Sequence, residues 1–285
     1  MYSYKTLENI ELKIIYNTFI EAFSDYQVKL DLSFENFKNM MVRRGLNLEF
    51  SMGAFQNNQL VGFILNGVRD WNGKITIYDV GTGVVLEHRK KGITGEIFEK
   101  LKILCTEKKI EQYLLEVLQE NIGAVNLYKS KGFQVTREFD CYFLNKINSD
   151  SNENINLEKV DSFSEDMWEK VKKYWNYNPS WQNSIDSIKA NFNNFIYILA
   201  KVEDKIVGYG IIEKATGDIP QIAVSQQYRK QGIGKAIVNR LINSLDIERF
   251  KILNVDSRDL EMEKFLLSIG GEKYTKQYEM ISYIW

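Results

Sequence analysis

Cysteine and histidine are almost missing from this chain of 285 residues, which has two of the first and one of the second. With a single histidine and no Cys/His cluster, the sequence gives no basis for a zinc site, and no metal is expected. Cys105 falls in a predicted helix and Cys141 in a predicted strand, so both read as structural thiols of a reduced chain. An excess of charge is also lacking. The net charge is −1, and the first 146 residues carry 19 basic and 18 acidic groups against 18 and 20 in the remainder. That balance argues against a nucleic-acid or membrane-surface partner. No apolar run reaches the length of a membrane span, and the start lacks a charged segment followed by a cleavage site. The expectation is a soluble, cytoplasmic protein.

What the chain does have is a repeat. Val84-Val85-Leu86-Glu87-His88-Arg89-Lys90-Lys91-Gly92-Ile93-Thr94 returns as Val224-Ser225-Gln226-Gln227-Tyr228-Arg229-Lys230-Gln231-Gly232-Ile233-Gly234, 140 positions on. Internal repetition sets the domain count before any single residue is interpreted. With 44% apolar and 13% aromatic residues there is material for a core in each of two domains. The polar stretch 147–154 reads as a linker, which divides the chain into domains at 1–146 and 155–285.

The pattern within each half is the same. Alternating or apolar runs at 50–55, 60–68 and 76–84, and at 195–202, 205–212 and 221–224, predict a meander of strands joined by short turns. After each basic turn, Ile93, Ile97, Leu101 and Cys105 correspond to Ile233, Ile237, Leu241 and Leu245, one buried helical face in each half. A strand at 112–117 or 251–255 and a helix at 123–131 or 260–269 follow. The opening helices, 7–23 with 34–44 and 164–174 with 184–192, differ far more than the turns do. A strand running into a glycine turn and then a helix leaves several N–H groups unpaired, which suits a pyrophosphate. The P-loop and dinucleotide fingerprints both fail here, since Ala236 follows Gly234-Lys235 and no third glycine follows Gly81-Thr82-Gly83.

The Arg/Gln-x-x-Gly-x-Gly/Ala pattern is met fully by Arg229 to Gly234 and departs at Thr94 in the first half, where Gly95 follows. A second pattern, Asn-x-x-Ala-x-x-Leu-Tyr-x-x-x-Gly-Phe, is met by Asn121, Ala124, Leu127, Tyr128, Gly132 and Phe133. In the second half the same positions hold Asp259, Met262, Phe265, Leu266, Gly270 and Gly271, so the asparagine and the tyrosine are gone. Together these motifs resemble the GCN5-related N-acetyltransferase family, in two tandem copies. The resemblance implies an α/β fold, two splayed mixed sheets flanked by helices, with acetyl-coenzyme A as cosubstrate.

It further implies that Val84 and Val85 hold the pantetheine arm, that Arg89, Lys90, Lys91, Gly92, Ile93, Thr94 and Gly95 face the pyrophosphate, and that Asn121 and Tyr128 contact the cofactor. Val224, Arg229, Lys230, Gln231, Gly232, Ile233 and Gly234 are the matching set in the second half. An amine acceptor, a small molecule or a peptide, then attacks the thioester directly, and Tyr128 is placed to protonate the departing thiolate. Asp79 is the candidate base, with a solvated strand-end charge as the other reading. Asp25 and Tyr26 are candidates to orient an ammonium, and Trp71 stands either in the cleft or at a hairpin tip. His88, aligned with Tyr228, is expected to pack in the turn. The leading expectation is an N-acetyltransferase whose first half is catalytic, acting as a monomeric pseudo-dimer or a homodimer. A non-catalytic coenzyme A sensor and an active second half are the competing ones.

Overall fold

The computed structural model describes residues 1–25, 32–146 and 155–283. The predicted linker at 147–154 lies outside them. By contacts the chain divides into two units, one of Met1–Val117, Asn121–Thr136 and Glu279–Trp285, the other of Leu118–Glu120 and Arg137–Tyr278. Both units therefore draw on residues from either side of that stretch.

In the first unit β1 (Ser3–Thr6) is followed by α1 (Leu12–Ala22) and α2 (Phe34–Arg44). Ser33 caps α2 by accepting from the Asn36 N–H, and Gly45, at φ 76°, ends it. The helix predicted at 7–23 begins only at Leu12, because the Leu7 N–H is taken by Ser51 O and the Ile10 N–H turns back to Leu7 O. Strands β2 (Met52–Gln56), β3 (Gln59–Trp71) and β4 (Lys74–Val84) form the expected meander. Its turns are sharp: Asn57 and Asn58 at φ 50° and 64°, then Asn72 and Gly73 at φ 55° and 77°. Two consecutive left-handed residues are what a two-residue hairpin needs, and asparagine tolerates that conformation. Helix α3 (Ile93–Glu107), β5 (Gln112–Leu118) and α4 (Ile122–Ser130) complete the unit, and the strand order is β1-β2-β3-β4-β5, then the C-terminal strand β12 (Glu272–Tyr283).

The core sits on both faces of this sheet. Helix α3 buries Ile93, Ile97, Leu101 and Cys105 against β2, β3 and β4. On the other face Phe19 of α1 packs edge-on to Phe37 of α2 and stacks on Phe63 of β3. Each such side chain contributes roughly 1.5–3 kcal/mol by leaving water.

The second unit repeats the theme. Strand β6 (Gln134–Asn145) enters it from α4, and after β7 (Asn156–Val160) come α5 (Glu165–Val171) and α6 (Ile185–Ala190). Strands β8 (Phe195–Val202), β9 (Lys205–Glu213) and β10 (Gln221–Val224) form a four-stranded antiparallel sheet in the order β10-β9-β8-β7. Helix α7 (Ile233–Ile242), β11 (Arg249–Asp256) and α8 (Leu260–Ser268) follow. Leu245 lies beyond α7, which ends at Ile242, about a turn earlier than the pattern suggested. The neighbour of β11 is β6, which pairs with it antiparallel from Arg249↔Asn145 to Asp256↔Phe139. Both cysteines are buried, and neither forms a disulfide among the described residues. Among the described residues, no helix is long and apolar enough to cross a membrane, and no group of three or more His, Cys, Asp or Glu is disposed to hold a metal.

Candidate active site

The two glycine turns have the same backbone. Arg89 is extended, Lys90 is left-handed at φ 60°, and Gly92 is left-handed at φ 77° as the residue before α3. Arg229, Lys230 and Gly232 repeat this at φ −68°, 62° and 83°. Left-handed residues set among right-handed and extended ones turn successive N–H groups toward one side, and the first N–H groups of a helix have no partner within it. Around Gly92 an added Cβ would meet nothing within 4 Å, so the turn opens onto free space where an anion can approach. Gly234 has a different reason to be small: a Cβ there would lie 3.1 Å from the Phe265 ring. At the position of Phe265 the first half has Leu127, and there Thr94 stands in place of glycine.

The paired arginines turn inward. Arg89 donates from Nε to Val84 O (3.0 Å) and from Nη2 to Ala22 O (2.7 Å), and Arg229 makes the same bonds to Val224 O and Tyr174 O. They brace the turn against the strand before it and the helical segment at the start of each half. Lys90, Lys91 and Gln231 are exposed beside the turns. His88 accepts or donates at Nδ1 to the Tyr2 hydroxyl (2.9 Å) with the rings edge to face, a packing role in the turn.

Strand β4 is where the sheet opens. It pairs with β5 in parallel only from Thr76↔Gln112 to Tyr78↔Leu114 among the described residues. Its register with β3 shifts there too: Leu65 faces Gly81 and Asn66 faces Asp79, which leaves Val80 as an extra residue. Farther along, the Val85 N–H donates to Val61 O, so by antiparallel alternation the Val84 N–H points away from β3, toward the opened edge. A backbone donor at that edge is placed to meet a carbonyl oxygen.

The extra residue also assembles a polar cluster. In a regular strand, residues three apart face opposite sides. With Val80 bulged out, Asp79 and Thr82 meet, and Thr82 Oγ1 donates to Asp79 Oδ2 at 2.7 Å. The Tyr128 hydroxyl, from α4, donates to the same oxygen at 3.1 Å. Asp79 is 8% exposed and Tyr128 7%, and Asp79 Oδ1 is buried with no hydrogen-bond partner among the described residues. Burial raises the Asp79 pKa to about 6, against the smaller opposing pull of the Thr82 and Tyr128 hydroxyls, the Gly81 N–H and Arg44. Around it, Tyr113 donates to Asn66 Oδ1 (2.7 Å) and Arg44 to the carbonyl of the bulged Val80 (3.1 Å). Burial pushes the Tyr78 and Tyr113 phenols well above their ordinary range. The structure thus joins the sequence's two catalytic candidates in one hydrogen bond. Thr82 was not foreseen, since only the bulge brings it to Asp79.

Asn121 caps α4, its Oδ1 accepting from the Ala124 N–H at 3.2 Å, and Asp259 caps α8 in the same way through the Met262 N–H at 3.1 Å. The cap explains why both residue types serve. Asp25, expected to await an ammonium, is instead bound by Arg89 at 2.6 and 2.8 Å, and this guanidinium lowers its pKa. Tyr26 lies outside the described residues. Trp71 pairs with Lys74 at the end of the β3–β4 hairpin. That is five residues along the strand from Asn66, the partner of Asp79, or about 17 Å at 3.3 Å per residue.

In the second half the cluster is replaced as a pair. Ile219 aligns with Asp79 and Leu266 with Tyr128, and they are 1% and 0% exposed. Strand β10 separates from β11 just after the isolated bridge Asp218↔Lys251. The gap forms a cleft of about 580 Å³, bordered by β10, the Gly232 turn, residues of β11 and the start of α8. Its polar wall is internally satisfied: Gln221 bonds the Tyr209 hydroxyl and Asn183 O, and Asn183 bonds Leu253 O. Asn254, left-handed at φ 59° in a bulge of β11, donates to Ser180 Oγ.

Comparison with known proteins follows the repeat. A family model described as "Acetyltransferase (GNAT) family" matches residues 12–133 and again 160–266. Among solved structures, the chain is similar to a tandem GNAT protein from the clavulanic acid biosynthesis pathway at 12% identity and a TM-score of 0.77, covering 99% of this chain and 98% of that one. A GCN5-related N-acetyltransferase from Sphaerobacter thermophilus matches at 12% identity and 0.72, with 99% and 95% covered. Another from Anabaena variabilis matches at 12% and 0.59, with 99% and 72% covered.

Proposed function

The chain belongs to the acetyltransferase (GNAT) family, and from that premise we propose that its first half moves an acetyl group from acetyl-coenzyme A to a primary amine by direct attack. The observation that carries this reading is the buried Asp79–Tyr128 pair beside the opened edge of β4. The residues present fit the cosubstrate: a glycine turn open to an anion at Gly92, unpaired donors at the start of α3, and the Val84 N–H directed at the gap. Acetyl-coenzyme A supplies an activated carbonyl and a sulfur leaving group when bound.

Asp79 is the base. As a neutral amine forms its bond to the carbonyl carbon, Asp79 Oδ1 accepts the proton that the nitrogen loses. The Val84 N–H supports the oxygen that gains charge. Tyr128 donates its proton to the sulfur as the carbon–sulfur bond breaks; Asp79 then releases to solvent the proton it holds on Oδ1 and the Tyr128 phenolate takes one from solvent, which restores both groups. A base with a pKa near 6 is ionised at neutral pH and still matched to proton transfer. The second half, with Ile219 and Leu266 in the place of this pair, is assigned the holding of a coenzyme A ligand without turnover.

The test is thiol release from acetyl-coenzyme A over a panel of primary amines. Tyr128→Phe is expected to lower kcat about 10²–10⁴-fold, the range of general acid help, with little change in coenzyme A affinity. Unchanged kcat in this variant would remove Tyr128 from the chemistry.

A further inference from the structure

Asp79 has two oxygens, and the structure treats them unequally. Oδ2 accepts from both the Thr82 hydroxyl at 2.7 Å and the Tyr128 hydroxyl at 3.1 Å, whereas Oδ1 accepts nothing among the described residues and is buried. The Gly81 N–H also favours the charged carboxylate, but a carboxylate whose Oδ2 met only Tyr128 would keep more freedom to turn. A second donor on the same oxygen, coming from the strand itself, holds the group in one orientation. Thr82 supplies that donor only because the extra residue Val80 turns both side chains to the same side.

We propose that Thr82 is a positioning residue of this site: its hydroxyl fixes the Asp79 carboxylate so that Oδ1 is the oxygen that meets the acceptor nitrogen and Oδ2 the one that meets Tyr128. The inference rests on the reading of Asp79 as the base. Thr82 touches neither the thioester nor the amine in this account; it acts through Asp79. Its hydroxyl also favours the charged form of the carboxylate, because a donor stabilises the anion. The other charged and titratable groups around Asp79 are Arg44 from α2, Tyr78 from its own strand, Tyr113 from β5 and Tyr128 from α4, with Glu116 of β5 acting on Tyr78. None of them shares with Thr82 a position two residues beyond the bulge, so none replaces it on Oδ2 from that side.

The experiment compares Thr82→Val, Thr82→Ser and Asp79→Asn with the unaltered chain. Two readouts are needed: the pH profile of kcat/KM over the amine panel, and the titration of the Asp79 carboxyl followed by carbon NMR in the ligand-free chain. Valine has nearly the shape of threonine and no hydroxyl. Thr82→Val is expected to raise both the acid limb of the profile and the carboxyl titration by about one pH unit. It also lowers kcat about tenfold at pH 8, where the carboxylate is ionised in either chain, because an unfixed base is misaligned. Thr82→Ser, which keeps the donor, restores both. Thr82→Val leaving titration and rate unchanged, while Asp79→Asn abolishes turnover, would overturn the positioning role and leave the base in place. Failure of serine to restore what valine loses would also overturn it, since the loss would then come from packing. Full turnover by Asp79→Asn would overturn the reading of Asp79 itself, and this inference with it.

Discussion

A buried carboxylate with a raised pKa weakens the fold that holds it. Asp79 sits at about 6 in the folded chain against 3.8 for the free group, so the folded state favours its protonated form. Its stabilising contribution is complete below pH about 4 and is lost as pH rises through about 6. At neutral pH the anion is held at a cost of up to about 3 kcal/mol, at 1.36 kcal/mol per unit. Asp79→Asn is therefore expected to unfold at a higher temperature than the unaltered chain at pH 8 and at nearly the same temperature at pH 4, while losing turnover. Thermal unfolding at the two pH values checks the sign, and a variant less stable at pH 8 would contradict it. Much of this scale was legible in the sequence. Tyr128 followed from its motif and Asp79 from its place near the end of a strand. Thr82 was not legible, because residues three apart in a regular strand do not meet, and no composition signals a bulge at Val80. The partner of Asp25 was not legible for a related reason: its arginine lies 64 positions later and only the fold places it beside the carboxylate.

At the scale of the element, the same turn is held in two ways. Arg89 and Arg229 make matching bonds to the strand before them and to the opening segment of their halves, so the arginine of the motif serves the shape of the turn. The last motif position answers to the neighbouring helix. Gly234 lies under Phe265 with no room for a larger group, whereas Thr94 occurs where the aligned residue is Leu127. Gly234→Thr is expected to destabilise the chain by about 1–3 kcal/mol, as overpacking does, and Phe265→Leu in the same chain to recover most of it. Denaturant unfolding of the three chains measures this, and equal loss with and without the Phe265 change would refute the packing account. Periodicity announced α3, α4, α7 and α8 and the meanders of both halves, since each buries one face. It did not announce β1 or β7, edge strands of four and five residues with too few positions to show alternation.

At the scale of the whole molecule, a repeat revealed the two copies, but not which residues complete each contact unit. The sequence places Cys141 in a strand late in the first half; it does not state that β12 lies next to β5 in order, or β6 next to β11. Neighbours in a sheet are chosen by the packing of both faces, which a single strand does not encode. The divergence between the halves is likewise a matter of pairs. The sequence showed Leu266 where the first half has Tyr128, the repeat offset of 140 sets Ile219 against Asp79, and the structure buries both apolar residues. A phenol and a carboxylate bonded to each other are best replaced together, because either alone leaves a buried polar group unpaired. This supports our proposal that the first half carries the chemistry and the second, whose glycine turn matches the motif fully, holds a ligand.

That division is tested most directly by placing a carboxylate in each turn and measuring thiol release from acetyl-coenzyme A over the amine panel. An aspartate at a turn that receives a pyrophosphate repels it, and both glycines are left-handed, so the strain of substitution is shared by the two variants. Gly92→Asp is expected to abolish turnover and Gly232→Asp to keep most of it. Turnover lost with Gly232→Asp and kept with Gly92→Asp would contradict the assignment of the first half as the working site.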